Sequence, residues 1–88
     1  MAGKPFTLKI DYVDRQGVKG VLEVVEREGV LYVSAVDVYP DGRKSELEYR
    51  TERYNIERIV AKYRQVRRIS KDKKKHVAAV LMAVLTGE

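Results

Sequence analysis

The chain has no cysteine, no tryptophan, one histidine, one phenylalanine and only two prolines among 88 residues. Without cysteine there is neither a disulfide framework nor a thiolate zinc site, a composition that suits the cytoplasm. The single imidazole, His76, sits inside a lysine run, and neither Ser34 nor Ser45 has a base near it in sequence. No nucleophile and base pair stands out, so no enzyme is expected. Asp37 and Asp41 flank the turn in "DVYPDG" but lack the further oxygens of a calcium loop. Glycines 17, 20 and 29 match no phosphate-binding fingerprint. No metal and no cofactor are therefore expected. The longest purely apolar run covers residues 77–85 and is too short to cross a bilayer. The opening residues, Met-Ala-Gly-Lys-Pro, begin no apolar signal segment.

What the chain does have is charge. At 44% hydrophobic and 35% charged, with no low-complexity tract, the composition is that of one small globular domain. The net charge of +5 is unevenly placed. Residues 62–76 hold Lys62, Arg64, Arg67, Arg68, Lys71, Lys73, Lys74 and Lys75 against Asp72 alone, a local +7 that leaves −2 for the rest. Such asymmetry favours polyanion partners, nucleic acid foremost.

Periodicity orders the elements. "FTLKIDYV" (residues 6–13) alternates, as a half-buried strand does. "DRQG" is a turn, and residues 18–26 form a second strand, in which Gly20 suggests a bulge or bend. "REG" is a short hairpin connection. Residues 30–39, apolar on both faces, read as a central strand. "PDGR" is the clearest turn, and residues 44–50 alternate again. Residues 54–63 read as a fifth strand whose period slips near Arg58 and Ile59. Ser70 then looks like the N-cap of a helix over residues 70–86, with Val77, Val80, Leu81, Val84 and Leu85 at helical spacing. The expected fold is α+β, mainly β: a bent five-stranded antiparallel sheet or small open barrel over residues 1–69, followed by one amphipathic helix.

Arginine beside tyrosine is the chemistry that remains. Tyr49-Arg50, Arg53-Tyr54 and Tyr63-Arg64 are adjacent pairs. Guanidinium forks grip phosphate, and tyrosine faces stack on bases. "RTERYNIERI" (residues 50–59) would then serve both core and site, with Ile56 turned inward and Arg53 and Arg58 on the outer face or rim.

The order of motifs resembles the WYL domain family. "LKIDYVDRQGVKG" resembles the family's opening strand and turn, and "GVLYVSAVD" its name-giving segment, with Leu31-Tyr32-Val33 in place of Trp-Tyr-Leu. "YNIERI" resembles its closing strand, with Asn55 where an arginine is usual. The resemblance spans about residues 8–60, with residues 44–53 as an insertion. It implies a small Sm-like or SH3-like barrel that senses nucleic acid or a nucleotide-like anion in regulation or defence. By position it implies Tyr32 and Arg58 as ligand-binding, with Arg43 in the place of a basic residue before the closing strand.

Two expectations follow. In the first, Tyr32, Arg43, Arg53 and Arg58 bind nucleic acid or a nucleotide-like anion. Arg64, Arg67, Arg68, Lys73, Lys74 and Lys75 add a nonspecific basic arm. In the second, the chain is an adaptor or homo-oligomer that associates through Val77, Val80, Leu81, Val84 and Leu85.

Overall fold

Three tight hairpins build the first half of the chain. The computed structural model describes residues 5–87. Strands β1 (Thr7–Val13), β2 (Lys19–Arg27), β3 (Val30–Val38) and β4 (Lys44–Thr51) form an open antiparallel sheet in the order β1-β2-β3-β4. The first and third turns share one design. Gly17 donates to the Asp14 carbonyl and Asp14 to that of Val18; Gly42 donates to the Tyr39 carbonyl and Tyr39 to that of Arg43. Gly17 and Gly42 take φ of 82° and 90°, the left-handed position that closes a three-residue hairpin loop. The middle hairpin turns on Glu28 and Gly29, both at positive φ.

Each hairpin sets a register, and the registers set the faces. Leu22 pairs with Ile10 and Ala35, and Val24 with Leu8 and Val33. This face is buried: Ile10, Leu22, Val24, Leu31 and Val33 are at most 4% exposed. The other face carries Lys9, Glu23, Tyr32, Ser34, Glu48 and Arg50, by the period-2 alternation of strands.

Gly20 makes no bulge, since both of its ladders run through it without a slip. Tyr12 lies opposite it on β1 and Asp37 opposite it on β3. The Tyr12 ring crosses the space above Gly20, and its hydroxyl donates a hydrogen bond to Asp37 Oδ1. A Cβ on residue 20 would stand 2.0 Å from Tyr12 Cζ. Glycine is therefore required here by the side chain above it, an aromatic ring filling the place of a missing one.

The expected fifth strand is a helix. After Tyr54, α1 covers Ile56–Ile69 and α2 covers Lys73–Leu85. Asn55, placed by resemblance inside a closing strand, is the N-cap of α1, its Oδ1 accepting from Arg58 N at 3.2 Å. The slip in period near Arg58 marks helical spacing: Ile56, Ile59, Tyr63 and Val66 recur at helical intervals on one side, and Ile59 is fully buried. Glu57 in the first turn and Arg67 and Arg68 in the last suit the helix dipole. Residues 44–53, expected as an insertion, supply β4 and the link to α1.

The second helix also starts later than expected. Ser70 is the C-cap of α1, its N–H donating to Val66 O. Asp72 caps α2 through Lys74 N at 2.9 Å, and Ser70 Oγ accepts from Asp72 N. The two helices pack together, with His76, Val80, Ala83 and Val84 buried on α2. The chain divides into two compact units, Met1–Glu52 and Arg53–Glu88, in place of a barrel over residues 1–69. Among the described residues, no helix is long and apolar enough to cross a membrane.

Candidate nucleic-acid interface

The division at Glu52 also divides the charge. The sheet unit has eight Lys and Arg against ten Asp and Glu, a net −2. The helical unit has ten against three, a net +7. All of the excess positive charge therefore belongs to 36 residues.

Within that unit α1 turns its apolar side inward, which leaves Arg64, Arg67 and Arg68 exposed around an open hollow of about 290 Å³. Lys71, Lys73, Lys74 and Lys75 are exposed along the turn and the start of α2. Among the described residues, no carboxylate lies within ion-pairing distance of Arg64, Arg67 or Arg68.

One of these arginines is held by a chain of contacts that begins in the core. The buried His76 donates from Nε2 to the Ser70 carbonyl at 2.8 Å. Tyr63 meets the His76 ring edge-on, with centroids 6.1 Å apart. The Arg67 guanidinium lies 5.3 Å from the Tyr63 ring centroid, within the range of a cation–π contact. His76 thus serves as a staple across the α1–α2 turn and braces Tyr63, the ring beneath Arg67.

The local arrangement costs stability. Arg64 and Arg68 are four residues apart on a helix, a like-charge spacing that destabilises by about 0.2–0.5 kcal/mol. Lys73, Lys74 and Lys75 occupy the first turn of α2, where no acidic residue is present and the dipole disfavours cations.

The remaining sequence candidates are scattered. Arg53 lies in the link before α1 and not on a strand face. Arg58 is in the first turn of α1, half-buried, with Nε buried and without a hydrogen-bond partner among the described residues. Arg43 is held by the third hairpin: its Nε donates to Asp41 Oδ2 at 2.7 Å, and its guanidinium lies 5.1 Å from the Tyr39 ring centroid. Tyr32 is on the exposed face of β3, directly opposite Arg50, with the Arg27 guanidinium 5.7 Å from its ring centroid. Sequence reasoning misses Arg27 and Arg50 as neighbours of Tyr32. The signal for Arg50 is in "PDGR": a turn closing at Tyr39 and Arg43 sets position 32 against position 50.

Tyr32 and Arg50 line a shallow depression of about 420 Å³ together with Val33, Ser34, Glu48 and Tyr49. Glu23 and Glu48 are both paired with Ser34 in the next row of the same face. This part of the sheet is therefore mixed in sign. Of the apolar residues proposed for self-association, Val80 and Val84 are buried in the core, Val77 and Leu81 are half-buried, and Leu85 is exposed. The exposed face of α2 instead presents Ala78, Met82 and Leu85. Among the described residues, no cluster of side chains suited to a metal ion is present.

No protein family, no curated protein and no solved structure matches the chain.

Proposed function

We propose that this protein binds nucleic acid through its helical unit, with Arg64, Arg67, Arg68, Lys71, Lys73, Lys74 and Lys75 as the contact surface, and acts as a small regulatory or defence-associated module. One observation carries the reading: exposed guanidinium groups, without carboxylate partners among the described residues, cluster on a unit of net +7, while the sheet unit is net −2. Arginine forks suit phosphate oxygens. Phosphate contacts position a protein on nucleic acid without reading sequence, so weak sequence preference is expected. Tyr32, flanked by Arg27 and Arg50, is where a base or nucleotide ring could stack on the sheet. The WYL-like motifs of the first three strands are in keeping with the same class of ligand.

The test is a binding panel of short single-stranded RNA, single-stranded DNA and duplex DNA at physiological salt. The triple change Arg64→Gln, Arg67→Gln, Arg68→Gln should weaken every binder by at least tenfold and by a similar factor across sequences. Tyr32→Ala should weaken the single-stranded ligands only, by the loss of stacking worth about 1–3 kcal/mol per base. Unchanged affinity of the triple variant would remove the reading. Self-association through α2 is the other reading the sequence allows; Met82 and Leu85, 63% and 62% exposed, are the residues left to it.

A further inference from the structure

β4 ends the sheet, and its outer edge is open. Every residue from 44 to 50 is exposed, on both faces of the strand. Among the described residues, no backbone hydrogen bond joins residues 44–50 to any element other than β3. The bond from Tyr39 N to Arg43 O makes positions 39 and 43 a hydrogen-bonded pair. Antiparallel pairs alternate in type, so residues 45, 47 and 49 turn their N–H and C=O groups to β3. Lys44, Glu46, Glu48 and Arg50 turn theirs outward. β1, the other terminal strand, carries the buried Ile10 and half-buried neighbours on its apolar face, whereas Leu47 and Tyr49 on β4 remain 53% and 40% exposed.

Charged edge strands usually deter pairing. Along β4 and the residue just past it the charges run Lys44, Glu46, Glu48, Arg50 and Glu52, so the deterrent is weakest against the same strand turned end for end in one register. Opposed residues of an antiparallel pair share a face, which limits the registers. A two-fold axis at Leu47 would set Lys44 against Arg50 and Glu46 against Glu48, repulsive throughout. An axis at Tyr49 would set Glu46 against Glu52 and Glu48 against Arg50, each twice, so that repulsion and attraction cancel. An axis at Glu48 sets Glu46 against Arg50, Lys44 against Glu52 and Leu47 against Tyr49, each twice. Its one like-charge pair is Glu48 against Glu48. The same register opposes the residues whose backbone groups point outward.

We propose that β4 is a homodimerisation edge, two copies of the chain pairing β4 to β4 about an axis at Glu48. This goes beyond the nucleic-acid reading and does not depend on it.

Charge reversal tests it in the full chain. Arg50→Glu alone, and Glu46→Arg alone, should each weaken dimerisation at least tenfold in sedimentation or light scattering, and the double variant should restore it. Both positions are exposed, and unchanged circular dichroism checks the fold. Cysteine is absent from the chain, so a Glu48→Cys variant reports on the axis directly. Opposed hydrogen-bonded positions have Cα atoms about 5.5 Å apart, within disulfide range. Glu48→Cys should therefore cross-link under mild oxidation much faster than Glu46→Cys. A purified chain that stays monomeric at high micromolar concentration, or a dimer indifferent to the charge reversals and to the Glu48→Cys cross-link, overturns the proposal. The first result leaves the edge to a strand of another protein, and the second directs attention to the exposed face of α2.

Discussion

At the scale of single residues, Gly20 carries the most specific structural demand. Its Cβ position is occupied by the Tyr12 ring, so Gly20→Ala must displace that ring from Asp37. Overpacking of this kind costs about 1–3 kcal/mol, and chemical denaturation should show it. Tyr12→Phe keeps the ring over Gly20 and removes only the hydrogen bond to Asp37, at a cost of about 1 kcal/mol. The same pair makes stability sensitive to alkali. Burial, then the hydrogen bond and the charge of Asp37, push the Tyr12 hydroxyl up from 10.0 to about 12. A folded value above the unfolded one means that the contribution is complete below pH 10 and disappears as the pH rises towards 12. The stability of the wild type should therefore fall more steeply than that of Tyr12→Phe across this window. Parallel curves for the two proteins would refute the assignment. His76→Phe, which keeps a ring against Tyr63 but strands the Ser70 carbonyl, should cost about 1–3 kcal/mol.

At the scale of elements, much of the sheet is legible in the sequence and α1 is not. Alternation in residues 6–13 and 44–50 marks two strands, and the turn chemistry of "DRQG", "REG" and "PDGR" places the hairpins. The position of β3 between β2 and β4 follows from apolar residues on both of its faces. "YNIERIVAKY" is harder because Tyr54, Ile56 and Ile59 with Val60 satisfy a strand template with one slip. Its β-branched and aromatic residues favour strands, and the helix wins through Asn55 at the cap and burial along the Ile56, Ile59, Tyr63, Val66 line. Composition identifies the basic residues of the candidate site one by one. Their gathering around one hollow needs α1 to be a helix, because only helical spacing sets Arg64, Arg67 and Arg68 together. Asn55→Ala removes the cap and should lower the stability of the helical unit by about 1 kcal/mol. Asp72→Ala should do the same for α2. Helicity followed by circular dichroism during thermal unfolding checks both.

At the scale of the whole molecule, two compact units carry opposite signs: a sheet near neutrality on the acidic side and a helical hairpin of strong positive charge. This division gives the nucleic-acid reading its content. A uniformly basic protein would attract polyanions everywhere, whereas this chain concentrates its excess positive charge in one unit. Each phosphate contact releases condensed counterions, so affinity should fall with salt in proportion to the number of phosphates neutralised. The dependence of affinity for single-stranded RNA on salt, measured as a log–log slope for the wild type and for the Arg64→Gln, Arg67→Gln, Arg68→Gln variant, is the most direct test. The expected result is a steep wild-type slope that becomes shallower by about 2 in the variant, at roughly 0.7 for each single-strand phosphate that an arginine no longer neutralises. Equal slopes for the two proteins, or a wild-type affinity insensitive to salt, would contradict the assignment of these arginines to a phosphate-binding surface.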